Sequence, residues 1–432
     1  MGTSRVRRIS SRTRTRSTAL IATASAAVLG MSACAGGVSD GSDADAGTGV
    51  EARADFSAYQ EALADMEPVT LTYQPSAQSA DAMDAYRDVD FKENVEEASG
   101  GKITIDIVHA QAIAGYPEIP DALTDGRIDL AYTLPLYDPS RFPVNSALVA
   151  GSSLTGASPR AEELAANAAM LDVAWNTPEL LEEMEANGIE PLIPFNADGT
   201  VFSMCAEPGN SAEDWDGRQV RISSAAQEKQ LPAMKASPVS LEYLETYEAL
   251  QRKTVDCTLS AALPAYNVGF LEVAPHISYS EKASFARGAG AIVAGAGYQE
   301  LPLAARQLIF DQMAEVFMHS RRSNINANAE AAKVALEKGG GFENIDEQTE
   351  QALIEVSNGL AVEQVEAGLV SEGFDQQITD ALDKWRGVVD EMGLADEGGF
   401  EDLSEWHDDE SVDLMPFSER VYEEVMKEHR PQ

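Results

Sequence analysis

The stretch from Val69 to Leu259 passes twice through strand, helix, strand, helix and strand, and that order restricts the fold more than any other feature of the chain. In the first pass "VTLTY" (Val69 to Tyr73) reads as a strand. Met83, Tyr86, Phe91 and Val95 then recur at helical intervals between Ser79 and Glu97, and "SGG" (Ser99 to Gly101) stops that helix. "KITIDIV" (Lys102 to Val108) alternates as a strand, "IPDALTDG" (Ile119 to Gly126) closes a short helix on glycine, and "IDLAYT" (Ile128 to Thr133) is the third strand. The second pass runs through "RQVRI" (Arg218 to Ile222), a helix from Ala225 to Lys235, "SPVSL" (Ser237 to Leu241), a helix from Leu244 to Arg252, and "VDCTL" (Val255 to Leu259). Strands alternating with helices in this way build parallel α/β sheets.

The two passes share residues as well as order. "ALTDGRID" (Ala122 to Asp129) and "ALQRKTVD" (Ala249 to Asp256) both read Ala-Leu, four residues, a β-branched aliphatic and Asp, so two lobes of similar α/β construction are expected. From Leu303 the chain turns helical. Leu303 to Lys338 contains no Gly or Pro over 36 residues, which at the helical rise spans about 50 Å. A helix of that length is expected to run along both lobes and brace them. Further helices are expected at about 347–373 and 375–392. The tail from Ala395 carries the acid run "EWHDDESVD", read as solvated surface, and ends in an amphipathic helix around Phe417 to Lys427.

Residues 1–16 hold six arginines and no acid, residues 17–33 form the apolar run "STALIATASAAVLGMSA", and Cys34 follows. That order is an export signal, since the arginines stay inside while the apolar run enters the translocon. "MSAC" resembles a lipoprotein processing box, which implies lipid attachment at Cys34 and a membrane anchor without a span. Residues 34–66 then form an acidic tether and a short lead-in. The expected location is the outer face of the cytoplasmic membrane or the periplasm.

The whole chain carries a formal charge of −41; without residues 1–33 it has 25 basic against 72 acidic side chains, or −47. Such a field disfavours nucleic acid and anionic lipid, and any anion bound must be held by local cations. Apart from Cys34 the cysteines are Cys205 and Cys257. In an exported chain a disulfide is the commoner state of two such thiols, and the choice between a bond and two free thiols is one of geometry. The chain has no Gly-x-Ser-x-Gly elbow, P-loop, Gly-x-Gly-x-x-Gly or His-Glu-x-x-His, and its five histidines are scattered. No catalytic residue, metal site or cofactor is expected from these patterns.

Arg221 alternates with Val220 and Ile222 on a strand that reads as half buried. A buried guanidinium needs an anion, which an acidic side chain or a ligand can supply. Arg218, beside the Gly217 turn, reads as a surface charge.

Four stretches, "ASGGKITIDI", "IPDALTDGRIDLA" with the following "RFPV", "DWDGRQVRI" and "ASPVSLEYLETYEALQRKTVDCTLSAALPAY", together resemble the extracytoplasmic solute-binding subunits of tripartite ATP-independent periplasmic (TRAP) transporters, typified by C4-dicarboxylate binding proteins. The family pattern D-L-x-G-x-K-x-R is met by Asp214, Gly217, Gln219 in place of Lys, and Arg221. The later pattern is met by Pro238, Val239, Glu245, Tyr247, Ala249, Leu250, Gln251, Val255 and Asp256. The resemblance runs from about Val69 to Lys338.

The resemblance implies a periplasmic-binding-protein-like fold, with two α/β lobes, a ligand cleft between them, a bracing helix and a helical C-terminal part. The expected first lobe is 67–198 with about 287–325, the second 199–286 with about 326–394, and 395–432 an acidic helical extension. It also implies that Arg221 pairs with a ligand carboxylate, and that a membrane permease, not an enzyme substrate cycle, is the partner. A binding protein of an ATP-driven importer and an exported α/β hydrolase are the competing readings. Departures from the pattern bear on the ligand. Val201 in "ADGTVFS" stands where some members carry a second arginine, Lys253 replaces a helix-end Gly or Asn, Cys257 replaces a Gly, and Ser260 stands where others offer a polar contact. These changes suit a monocarboxylate with an apolar or aromatic body, with Phe202, Tyr73, Tyr132 and Tyr266 as candidate lining.

Overall fold

Two mixed sheets carry the fold in the computed structural model, which describes residues 49–409 and 412–432. The expected signal segment and Cys34 lie outside the described residues. The strands are β1 (Val69–Gln74), β2 (Ile103–Ile107), β3 (Leu130–Thr133), β4 (Glu190–Ala197), β5 (Val201–Cys205), β6 (Gln219–Ile222), β7 (Ser237–Ser240), β8 (Cys257–Ala261), β9 (His276–Tyr279), β10 (Ala289–Ala294) and β11 (Gly341–Asn344). One sheet has the order β2-β1-β3-β10-β4 and the other β11-β9-β5-β8-β6-β7.

The two expected passes form matching triplets. β1 lies between β2 and β3, and β6 between β7 and β8, all parallel. Beside each triplet runs an antiparallel strand entered from the other lobe, β10 against β3 and β5 against β8. The chain therefore crosses between the lobes after β4 and again before β10.

The residues shared by the two joints do the same work in each lobe. Asp129 takes the Thr72 amide on Oδ2 at 2.7 Å and donates its own amide to the Thr72 carbonyl at 3.0 Å. Asp256 treats Gln219 identically, at 2.8 Å for both bonds. Leu123, Leu250, Ile128 and Val255 are all buried beneath these clamps. Gly126 and Lys253 both take positive φ (76° and 57°), so Lys253 pays a strain that glycine avoids in the first lobe.

The expected 36-residue helix is interrupted. Gln312 ends the helix Leu303–Asp311 and begins the helix Met313–Glu337, with φ −71° and ψ −14°. The second helix does span both lobes. Met313, Val316 and Phe317 enter the first core, while Ala327, Ala331 and Ala335 enter the second.

Glu163 ties the crossings to this helix. Its carboxylate accepts from the Thr200 amide at 3.0 Å and from Asn324 Nδ2 at 2.8 Å, and pairs with Arg287 (3.3 Å) and Arg321 (3.5 Å), all buried. Gly199 reaches this knot with φ +107°, a conformation costly for any side chain.

The C-terminal part packs differently from the expected lobe limits. The helix Phe374–Glu391 buries Phe374, Ile378, Leu382, Trp385 and Val389 at helical spacing, but against the helix Ala161–Trp175 of the first lobe rather than the second. Beyond 395 the acids Glu405, Asp408, Asp409 and Asp413 are exposed, as expected of a solvated run, but apolar residues between and after them are core. Phe400 and Leu403 join the second-lobe core, and Phe417, Val421, Tyr422 and Met426 the first. Arg430 closes the chain on Asp311 at 2.8 Å, with Tyr59 and Tyr422 on the same carboxylate. The amphipathic helix expected around Phe417 to Lys427 is found as Met415–Val421 with its continuation Tyr422–Met426, while the core role of Phe400 and Leu403 was concealed by the acids around them. Cys205 and Cys257, opposite each other on β5 and β8, form a disulfide.

Candidate functional site

The cleft between the sheets encloses about 750 Å³ of non-protein space, part of it open to solvent. The first lobe gives it Tyr116, Tyr132, Tyr137, Asp84 and Asp198; the second gives Arg221, Tyr243, Ser260, Gln227 and Asn267. Leu134, Leu136, Val201, Leu259 and Leu263 supply apolar wall.

Arg221 projects from β6 with 3% of its surface exposed. Nε donates to the Leu241 carbonyl at 2.9 Å, Nη1 to the Leu259 carbonyl at 3.2 Å, and Nη2 to the Tyr137 hydroxyl at 3.2 Å. Among the described residues no carboxylate lies within ion-pair distance of it, so the internal salt bridge that the strand pattern allowed is not formed. Burial accordingly lowers its pKa, opposed by Tyr137 and Glu242. Each terminal guanidinium nitrogen carries two N–H groups, and the bonds above use one on each. The other N–H of each has no protein acceptor among the described residues.

Four tyrosines continue the wall. The Tyr116 ring lies 6.3 Å from Tyr132, 6.2 Å from Tyr137 and 6.3 Å from Tyr243, the last across the cleft. Burial raises the pKa of all four hydroxyls, which stay neutral near pH 7. Gly290 makes room for one of them, since a Cβ there would lie 2.3 Å from the Tyr132 ring.

At the far end Tyr132 donates to Asp198 Oδ1 at 3.2 Å. Burial first, and then the charge of Asp84, push the Asp198 carboxyl up to about 7, against the pull of Tyr132, Arg321 and Arg87. Asp84 pairs with Arg87 (3.6 Å), which also holds Asp88 (2.9 Å). Asn267 of the second lobe donates to Asp84 Oδ1 at 3.2 Å, so the cleft is bridged at both ends.

Three sequence candidates, Arg221, Ser260 and Tyr132, therefore line the cleft, and three do not. Phe202 is fully buried among Tyr279, Phe342 and Phe400, because alternation on β5 turns Val201 to the cleft and Phe202 away. Tyr73 turns into the first core, bonded to Asp88 at 3.2 Å and edge-on to Phe91. Tyr266 lies on the outer side of a helix whose Leu263, Pro264 and Asn267 face the cleft. Tyr116, Tyr137, Tyr243, Asp84 and Asp198 escaped the sequence reading. Asp198 and Tyr243 stood in stretches quoted there, "ADGTVFS" and "ASPVSLEYLETYEALQRKTVDCTLSAALPAY", but neither was named as lining.

Among the described residues no cluster of three His, Cys, Asp or Glu side chains is placed to hold a metal, and no helix is long and apolar enough to cross a membrane.

The family model described as bacterial extracellular solute-binding protein, family 7, matches residues 77–366. No curated protein matches the chain. Among solved structures, the Bordetella pertussis extracytoplasmic solute receptor DctP7, binding pyroglutamic acid, is 16% identical, with a TM-score of 0.60 over 73% of this chain and 99% of that one. A TRAP periplasmic solute-binding protein from Bordetella bronchiseptica with bound mandelate is 17% identical, with a TM-score of 0.63 over 75% and 99%. The sugar acid binding protein DctPAm of Advenella mimigardefordensis, in complex with galactonate, is 17% identical, with a TM-score of 0.61 over 74% and 100%. These likenesses establish a shared fold.

Proposed function

Because the chain belongs to family 7 of the bacterial extracellular solute-binding proteins, we propose that it captures a small organic acid outside the membrane and passes it to the membrane subunits of a TRAP transporter. The observation that carries this reading is Arg221, a buried cation facing the cleft with no carboxylate partner among the described residues and a free N–H on each terminal nitrogen. That is the geometry a carboxylate meets with two parallel charge-assisted bonds. The reading assigns no catalysis to the cleft.

The solved relatives take pyroglutamate, mandelate and galactonate. The tyrosines and leucines around the present cleft favour a ligand with one carboxylate and a flat or apolar body. Lobe closure around it is the functional step, driven by tighter binding to the closed form. Residues 1–33 are read as removed on export and Cys34 as the lipid-bearing N-terminus. Mass spectrometry of the mature protein checks this, and an unmodified Cys34 or an intact leader contradicts it.

The binding reading is tested by mass spectrometry of ligand released from purified protein, joined to a thermal-shift panel of organic acids. Stabilisation by one or more acids is expected. Stabilisation confined to uncharged sugars or cations would overturn it.

A further inference from the structure

The cleft is charged at both ends, and with opposite signs. Arg221 stands at one end, bonded to the neutral Tyr137 hydroxyl, with the charge of Glu242 acting on it. Asp198 stands at the other, under the influence of Asp84, Arg321 and Arg87. The acidic end is not neutralised by its neighbours. Arg87 serves both Asp84 and Asp88, which leaves one negative charge on that group. Arg287 and Arg321 share Glu163, which leaves one positive charge there, balanced by Asp198. With Glu242 counted beside Arg221, the region carries no net positive charge even when Asp198 is protonated. A bare carboxylate on Arg221 adds an excess negative charge, and a ligand that brings its own cation does not.

We propose that the ligand is a zwitterion, an amino acid or N-methylated amino acid whose carboxylate meets Arg221 and whose ammonium centre lies at Asp198 and Asp84 among the faces of Tyr116, Tyr132 and Tyr243. This rests on the organic-acid reading of the same cleft and narrows it. The rings of Tyr132, Tyr137 and Tyr243 gathered 6.2 to 6.3 Å from that of Tyr116 suit a cation, because an aromatic quadrupole attracts ammonium and does so more strongly in a desolvated site. Asp198 adds an acceptor, since Tyr132 engages its Oδ1 and none of the described residues bonds its Oδ2. Asp84 adds the local negative charge, with Ser76, Asn267 and Arg87 holding its carboxylate in place.

The pairing also sets the sign of the pH dependence. The groups facing Asp198 are Asp84, Arg87, Arg321, Tyr116, Tyr132 and Tyr243; burial holds the three tyrosines neutral near pH 7, and the two arginines stay charged there. An ammonium favours ionised Asp198, so zwitterion affinity rises as pH passes upward through about 7. A plain carboxylate favours protonated Asp198, so its affinity falls over the same range.

The test is calorimetric or thermal-shift titration of the full mature protein with matched pairs: phenylglycine against mandelate, γ-aminobutyrate against γ-hydroxybutyrate, and a wider panel of amino acids with and without N-methyl groups. The proposal expects at least one amino compound to bind on the order of tenfold or more tighter than its hydroxy counterpart. It also expects Asp198→Asn to erase that preference while leaving the hydroxy acid unweakened. The wild-type comparison stands even if the variant folds poorly. Hydroxy acids binding as well as or better than every amino partner would overturn the zwitterion and leave the organic-acid reading intact. If no acid of either kind binds, both fall.

Discussion

Tyr137 on the first lobe accepts a hydrogen bond from Nη2 of Arg221 on the second at 3.2 Å, so the side chain that offers the cleft its cation also joins the two lobes. On the proposed function, binding and closure share a residue. Tyr137→Phe removes this bond and leaves the ring contacts. We expect ligand affinity to fall about two- to tenfold, the worth of one bond at ~0.5–1.5 kcal/mol, as read by calorimetry. An unchanged affinity would detach closure from this contact.

Glu163 holds both crossings and the long helix through Thr200, Arg287, Arg321 and Asn324. Glu163→Gln keeps the shape but leaves two buried arginines without their counter-charge. Denaturant unfolding should lose roughly 3–5 kcal/mol, the usual cost of orphaning a buried ion. A loss below about 1 kcal/mol, the scale of an exposed pair, would mean that this knot contributes little.

Asp129 and Asp256 make the same pair of bonds to Thr72 and Gln219 in their respective lobes. Asp129→Ala and Asp256→Ala are expected to cost similar amounts, each ~1.5–3 kcal/mol for a charge-assisted bond to a strand amide. Thermal unfolding of the two single variants checks the equivalence. A large effect at one site and none at the other would break it.

Asp198 gives ligand-free stability a sign. Its carboxyl is raised to about 7, so the folded chain holds this proton more tightly than the unfolded chain, whose aspartate titrates near 3.8. Between those pH values the folded state binds more protons at this group, and stability falls as pH rises. Below the window the contribution is level, and above it the full penalty is present. Asp198→Asn should therefore be more stable than the parent at pH 8 and close to it at pH 4. Equal differences at both pH values would show that Asp198 titrates normally.

The double α/β pass was legible because each triplet alternates and stops at a recognisable turn. The repeated Asp was legible as a pattern, though its clamp on the neighbouring strand appears only in the fold. Arg221 could be singled out by resemblance, and its missing salt bridge could not. Phe202 was misplaced because every residue of β5 is buried, so hydrophobicity cannot tell which face meets the cleft. Tyr116 and Tyr137 lie in single 3-10 turns, where no periodicity gives a direction. The C-terminal helices were legible as helices, but only packing reveals that Trp385 and Phe417 meet in one core.

The central claim is that Arg221 is the cation that holds the ligand. Calorimetric titration of Arg221→Ala, with the acid that most stabilises the parent protein, tests it most directly. The variant removes a buried charge that has no counter-ion among the described residues, together with three hydrogen bonds, so its ligand-free melting point should fall only modestly and is measured beside the affinity. Its affinity should fall at least about 100-fold, the ~3 kcal/mol expected for losing one partner of a desolvated charge pair. Affinity within a few-fold of the parent would place the carboxylate elsewhere and contradict the account.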